Sequence, residues 1–229
     1  MEERIRENLD AVRARIASAA SRAGRSPGSV VLLGATKGRS SEEIKEAIGC
    51  GLKVIGENRV QEFLGKYAEV GAGADWHFIG HLQRNKARHV VGKVKLIHSV
   101  DSMGLGVELS RRAEQAGLIQ GVLLQVNVAG EESKHGVAVD EAESLLEQLE
   151  CLPGVEVRGF STVAPLVEDQ EQVRWVFSGL RDLRDRLASG RYGGSLSELS
   201  MGMTNDFEVA IEEGSTIVRI GTAIFGPRT

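Results

Sequence analysis

Residues 30–48 read VVLLGATKGRSSEEIKEAI. From Val30 to Ala35 no polar side alternates with an apolar one, the pattern of a strand buried on both faces. After Lys37 the chain turns polar, and Ser40 with Glu43 has the spacing of a capping box that opens the helix SSEEIKEAI. Strand, polar loop and helix make one βα unit, and a strand covered on both faces belongs in a parallel sheet. The stretch also raises a chemical question, because this apolar strand ends on a long cation. Lys37 is either the first solvated residue past the core or a group held at a pocket mouth to react. Lysine is rarely buried, so the stretch alone favours solvation.

The unit repeats outward from here. Strands are predicted over 30–37, 53–58, 75–80, 96–101, 121–128, 155–163, 197–201 and 216–226, eight in all. Helical patterns lie between them: NRVQEFLGKYAEV, LQRNKARHVV, the segment from Met103 to Ala116, VDEAESLLEQLE, EDQEQVRWVFSGLRDLRDRLA and TNDFEVAIEE. Ahead of the first strand, Ile5, Leu9, Val12, Ile16 and Ala20 recur at helical steps through residues 2–23, and Gly24 is placed to stop that helix. Eight such units fit a closed (β/α)8 barrel, a TIM barrel, whose usual length of roughly 250 residues suits this chain of 229. An open doubly wound sheet is the alternative. No linker or repeat interrupts the pattern and only GRYGGS (190–195) looks flexible, so residues 1–229 are expected to form one domain.

Composition narrows the function. Apolar residues make up 41% and charged residues 26%, with a net charge of −4, enough for a normal core and too acidic for a nucleic-acid surface or an anionic membrane. A single small anion is still admissible, since backbone N–H groups suffice to bind it. Cys50 and Cys151 have no metal-type spacing and read as thiols in a reducing compartment. MEERIRENLD is too charged for a signal peptide and no apolar run reaches membrane length, so a cytoplasmic protein is expected.

In a barrel, chemistry gathers at the C-terminal strand ends. Those ends carry Lys37, then Glu57 and Asn58, Gly80 and His81, Ser99 and Asp101, Asn127, Ser161 and Thr162, and Ser200. Each alone is an ordinary cap or loop residue; together they surround one cavity. The richest stretch is LSMGMTNDFEVAIEEGSTIVRIGTAIFG, residues 199–226, where a helix start at Thr204 or Asn205 favours an anion and Gly221 lets a ligand approach the backbone. A phosphate held after strands 7 and 8 recurs in such barrels. Arg219 alternates with Val218 and Ile220, so its side chain is expected inside the barrel, paired with Glu57 or Asp101 or touching a ligand. His77 and His81, four apart at a strand end, lack the helical geometry of a zinc pair. His98 and His89 read as structural or exposed, and GEESKHG, with Lys134 and His135, as a solvated loop that would cover the pocket mouth.

Taken in order, ATK (35–37), IGENRVQE (55–62), WHFIGHLQRNK (76–86), HSVDS (98–102), QVN (125–127) and the closing motif resemble the pyridoxal phosphate homeostasis protein family, single-domain relatives of the alanine racemase N-terminal barrel. The resemblance covers nearly the whole chain. It implies that Lys37 carries pyridoxal 5′-phosphate as an internal aldimine. It also implies that Ser200 with the backbone of Gly221 and Thr222 holds the phosphate, that Arg219 faces the pyridine nitrogen, and that Asn58 lies near the ring. Phe160 and Ser161 stand where leucine and methionine are common in the family, and His81 where proline is. The chemistry agrees: a Schiff-base lysine must be partly unprotonated, which desolvation promotes, and an arginine partner keeps its proton, leaving the ring a weaker electron sink.

Alanine racemases complete their site with a tyrosine base from a second domain. This chain ends at Thr229 just past the last strand, so no second domain is expected; Tyr67 sits in a helix and Tyr192 before strand 7. Without a base on each side of the α-carbon, efficient racemisation has no route. The expectation is therefore a monomeric cofactor store or carrier, not an enzyme, with pyridoxal phosphate as ligand and apo-enzymes as candidate acceptors. The alternatives are a racemase-like enzyme acting on a small amino acid and a Schiff-base aldolase.

Overall fold

Strand β1 (Val31–Ala35) pairs in parallel with β2 (Val54–Glu57) on one side and with β8 (Ile217–Ile220) on the other, and that second pairing closes the sheet. In the computed structural model, which describes residues 2–190, 192 and 194–227, the strand order is sequential. Between β2 and β8 come β3 (Asp75–Phe78), β4 (Leu96–Val100), β5 (Gln120–Gln125), β6 (Val155–Ser161) and β7 (Glu198–Met203). The outer ring holds α1 (Glu2–Arg22), α2 (Ser41–Gly49), α3 (Val60–Val70), α4 (Met103–Gln115), α5 (Ala142–Glu150), α6 (Arg174–Ala188), α7 (Phe207–Glu212) and the single turn α8 (Thr222–Phe225). The expected eight-stranded barrel is the observed one.

Local signals account for several boundaries. Both bonds of the Ser40–Glu43 capping box form at the start of α2. Gly24, at φ 66°, follows α1, and Arg25 N–H returns to the Ala20 carbonyl to close the helix end. Helix α1 buries Ile5, Leu9, Val12 and Ile16 against α2, α7 and α8, so it covers the seam that the short α8 cannot.

Two expectations fail. The last strand does not reach residue 226: it stops at Ile220, and Thr222–Phe225 wind into α8. The apolar run continued because Ile224 and Phe225 are buried in the outer core, and Asn8 and Arg39 take the Ile224 and Phe225 carbonyls by side-chain donation. LQRNKARHVV forms no α-helix, only a 3-10 segment, Arg84–His89. Four basic side chains crowd that segment and only Ala87 in it is buried, so no apolar face rewards a longer helix.

Apolar packing has two layers. Leu33, Leu96, Leu123 and Ile217 form a small plug inside the barrel. A far larger cluster lies between sheet and helices, including Trp76 edge-on to Phe63 at 5.4 Å. Strands buried on both faces are therefore apolar almost throughout, as the opening stretch is.

One glycine is required by sheet geometry. The β5–β6 register skips Arg158, a bulge, and Gly159 beyond it has φ 149°. A Cβ there would lie 1.9 Å from the Glu198 carbonyl oxygen of the neighbouring strand. Gly159→Ala is therefore expected to lower stability by about 2 kcal/mol or more, from the conformation alone. A urea-unfolding midpoint unchanged from wild type would contradict that strand register.

Candidate functional site

The strand ends meet around a cavity of about 550 Å3. Lys37, Asn58, Arg219, Gly221 and Thr222 all line it, so five of the six sequence-selected residues converge on one space. Ser200 is not among the lining residues: it is fully buried, with its hydroxyl beneath the Arg219 guanidinium.

Lys37 follows the end of β1 and is half-buried. Directly before it, Thr36 donates its hydroxyl to Glu57 Oε1 at 2.6 Å. Lys66 from α3 reaches the same oxygen at 2.6 Å and the Thr36 carbonyl at 2.7 Å. A buried carboxylate is thus neutralised on the outer side of the strand, and the backbone that carries Lys37 is pinned to β2. Lys66 drew no notice in the sequence, although Glu62 and Lys66 stand four apart and pair at 3.2 Å. Glu57 is therefore not the partner of Arg219, and neither is Asp101, which faces His81 at 3.6 Å.

Arg219 points into the barrel as its alternation implied. Its NH1 donates to the Ser200 carbonyl and hydroxyl, each at 2.6 Å, and NH2 to the Thr162 carbonyl at 2.8 Å. Those bonds use three of the five guanidinium N–H groups. Burial pushes its pKa down to about 10, partly offset by Asp206, so it is still a cation at neutral pH. Asp206, itself nearly buried, accepts from the Met203 N–H at 2.5 Å, and desolvation raises its carboxyl.

Behind Arg219 runs a polar column. His98 Nδ1 lies 2.8 Å from the Ser200 hydroxyl, and His98 Nε2 lies 2.9 Å from His77 Nδ1. Arginine can only donate, so Ser200 Oγ accepts from it and is free to place its own proton on His98 Nδ1. That assigns the His98 proton to Nε2, donating to His77. Both imidazoles are neutral: desolvation lowers His77 to about 4 and holds His98 well below its ordinary value, with His77 and Arg219 as further repulsive neighbours. His77 thus belongs to the barrel interior and forms no pair with His81.

The opposite wall is built for an anion. Met203 at the end of β7, Thr204 and Asn205 just after it, and Gly221 and Thr222 after β8 line the cavity on these adjacent strands. The N–H groups of Thr204, Asn205, Gly221 and Thr222 make no backbone hydrogen bond among the described residues. Four uncommitted donors beside a buried guanidinium form an anion cradle. The helix start expected at Thr204 or Asn205 falls later: both lie in a turn ahead of α7, which begins at Phe207, and that turn puts them in the wall. Asn58 adds an acceptor, since its side-chain oxygen is buried with no hydrogen-bond partner among the described residues. Gly80 allows this approach, because a Cβ there would sit 2.1 Å from the Asn58 carbonyl oxygen. On the β6 side Val163, Pro165 and Leu166 complete the mouth, and Lys134 of the GEESKHG segment reaches the Val163 carbonyl at 3.4 Å.

Fold and site define the class first. The family model for the alanine racemase N-terminal domain matches residues 7–229. Relatives from Aquifex aeolicus (strain VF5), 51% identical over 97% of each chain, and Pseudomonas aeruginosa, 42% identical over 98% of this chain and 96% of that one, are both named pyridoxal phosphate homeostasis protein. The chain belongs to the alanine racemase N-terminal domain family and, within it, to the pyridoxal phosphate homeostasis proteins. Among solved structures, PipY of Synechococcus elongatus PCC7942 with PLP bound superposes with a TM-score of 0.85 at 34% identity, covering 97% of this chain and 100% of that one. The alanine racemase of Corynebacterium glutamicum shares the fold, with a TM-score of 0.72 at 17% identity over 96% of this chain and 62% of its own.

The buried histidines make stability depend on acid. Their folded pKa values lie below the unfolded value, so the unfolded chain binds more protons between about 6.5 and about 4. The full contribution is present above pH 6.5 and is lost as pH falls toward 4, on the order of 3 kcal/mol for His77. Urea unfolding at stepped pH should show this slope, and His77→Gln should flatten it.

Proposed function

We propose that the chain binds pyridoxal 5′-phosphate, tethers it covalently through Lys37, and serves intracellular cofactor homeostasis as a store or carrier. One observation carries the reading: an amine, four uncommitted N–H groups and a buried guanidinium line a single cavity. The ligand presents an aldehyde, a phosphate dianion and a pyridine nitrogen, and each has a matching partner there. When bound, the cofactor supplies an electron sink for carbanion chemistry.

The chain's own residues limit the use of that sink. Lys37 holds the aldehyde end, because a primary amine is the lining group that can condense with an aldehyde. The Thr204, Asn205, Gly221 and Thr222 N–H groups bind the phosphate. Arg219 offers its remaining N–H groups to the ring and keeps its proton, because even at about 10 its pKa lies well above neutrality. Ser200 acts through Arg219, fixing the guanidinium from below, and Asn58 presents its unpartnered oxygen to the ligand. No tyrosine lines the cavity: Tyr67 packs against Phe63 and Trp76 outside the barrel, and Tyr192 lies in the connection entering β7. Besides Lys37, the candidate base among the described lining residues is Asp206, whose carboxylate is held by the Met203 N–H at 2.5 Å, which supports binding without efficient catalysis.

Purified protein should be yellow, borohydride should fix the cofactor to Lys37, and Lys37→Ala should retain almost none after desalting. A colourless protein that gains no absorbance with added pyridoxal phosphate overturns the reading. Incubation with L-alanine should yield no appreciable D-alanine; sustained turnover abolished in Lys37→Ala would make the chain an enzyme. Faster cofactor delivery to an apo-enzyme than release into buffer would identify a carrier.

A further inference from the structure

Of the three histidines outside the barrel interior and the cavity lining, two converge. His81, just after β3, and His135, in the connection between β5 and α5, stack with ring centroids 3.9 Å apart and planes 11° apart. Asp101, after β4, completes the group: one ligand atom from each residue lies within 4.8 Å of the other two. Three separate strand–helix connections bring these groups together, so the arrangement is tertiary.

Its spacing is wrong for a hydrogen bond and suited to an ion. His81 Nδ1 and Asp101 Oδ2 are 3.6 Å apart, too far for a normal donor–acceptor contact. Ligand atoms around a tetrahedral ion with bonds of about 2.0–2.1 Å stand about 3.4 Å apart. Once the rings tilt apart, one divalent ion can take a nitrogen from each imidazole together with the carboxylate. His81 and His135 are exposed, which leaves further coordination positions open to water and leaves room for the rings to swing out of their near-parallel stack, as in-plane bonding of one ion by both requires. Two imidazoles and one carboxylate prefer borderline cations such as Zn2+, Co2+ or Ni2+ over Mg2+ and Ca2+.

We propose that His81, Asp101 and His135 form a site for one borderline divalent transition-metal ion on the barrel rim. His81 adjoins Gly80 of the cavity wall, and Lys134 beside His135 touches Val163 of that wall. A bound ion therefore ties the β5–α5 connection to the end of β3 at the cavity mouth. The site stands apart from the Lys37 chemistry and does not rest on it.

Untagged full-length protein, titrated with ZnCl2 against a chromophoric chelator at pH 7.5, should bind one ion per chain. His81→Ala and His135→Ala should each weaken binding at least about tenfold, because each removes one of only three protein ligands. His89→Ala and Cys151→Ser should bind like wild type. Excess Mg2+ should not displace the ion, and Co2+ should give a visible spectrum that the His81→Ala variant lacks. Thermal melting of each variant confirms folding, since the substituted side chains are exposed. Absence of saturable one-to-one binding, or binding that survives in the His81→Ala/His135→Ala double variant, overturns the proposal. Loss of the ion in Lys37→Ala would also overturn it, by moving the metal to the cavity.

Discussion

A guanidinium inside a closed parallel sheet is the constraint around which this protein is arranged. Arg219 is fully enclosed by strands whose other inward residues are mostly apolar, so its desolvation must be met by fixed acceptors. The Ser200 and Thr162 carbonyls and the Ser200 hydroxyl meet it. Ser200 then requires an acceptor of its own, which makes His98 neutral and sets the tautomer of His77 behind it. One buried cation thus dictates the identity and protonation of three further residues across four strands.

The same logic divides the barrel interior. The plug of Leu33, Leu96, Leu123 and Ile217 lies beside the polar column, since Leu96 pairs with His77, Ile217 with Ser200 and Leu33 with Arg219 in the sheet register, and the cavity lies at the strand ends. Two charged systems flank the site without crossing: Thr36, Glu57 and Lys66 on the β1–β2 side, and Arg219 with Asp206 on the β7–β8 side. Each is held by its own bonds, so the Lys37 end of the cavity and its N–H-lined end are supported independently. A ligand with chemically different ends suits such a division.

Much of this was legible in residue order. The apolar strand at 31–35, the capping box at Ser40 and the strand–helix repetition specify a parallel sheet with covering helices, and eight units favour a closed barrel over an open doubly wound sheet. Strand ends mark the chemical rim from sequence, and Lys37, Asn58, Arg219, Gly221 and Thr222 do meet there. The end of β8 was misjudged because Ile224 and Phe225 are apolar for the outer core, and period alone does not distinguish that from a strand. Ser200 was expected at the ligand, but a hydroxyl's direction along a strand depends on what its neighbour across the sheet demands.

By itself, the order of residues determined where the strands lie, that they run parallel, and which polar groups stand at their C-terminal ends, since these follow from periodicity and from the fixed hand of βα connections, while the β1–β8 pairing that closes the sheet is tertiary. Only the tertiary structure decided what those groups face. Lys66 reaching Glu57, Ser200 lying beneath Arg219, and His135 coming onto His81 join residues from different strands, helices and connections. Such pairings are set by barrel register and by the need to satisfy every buried charge. No local pattern in the chain records them.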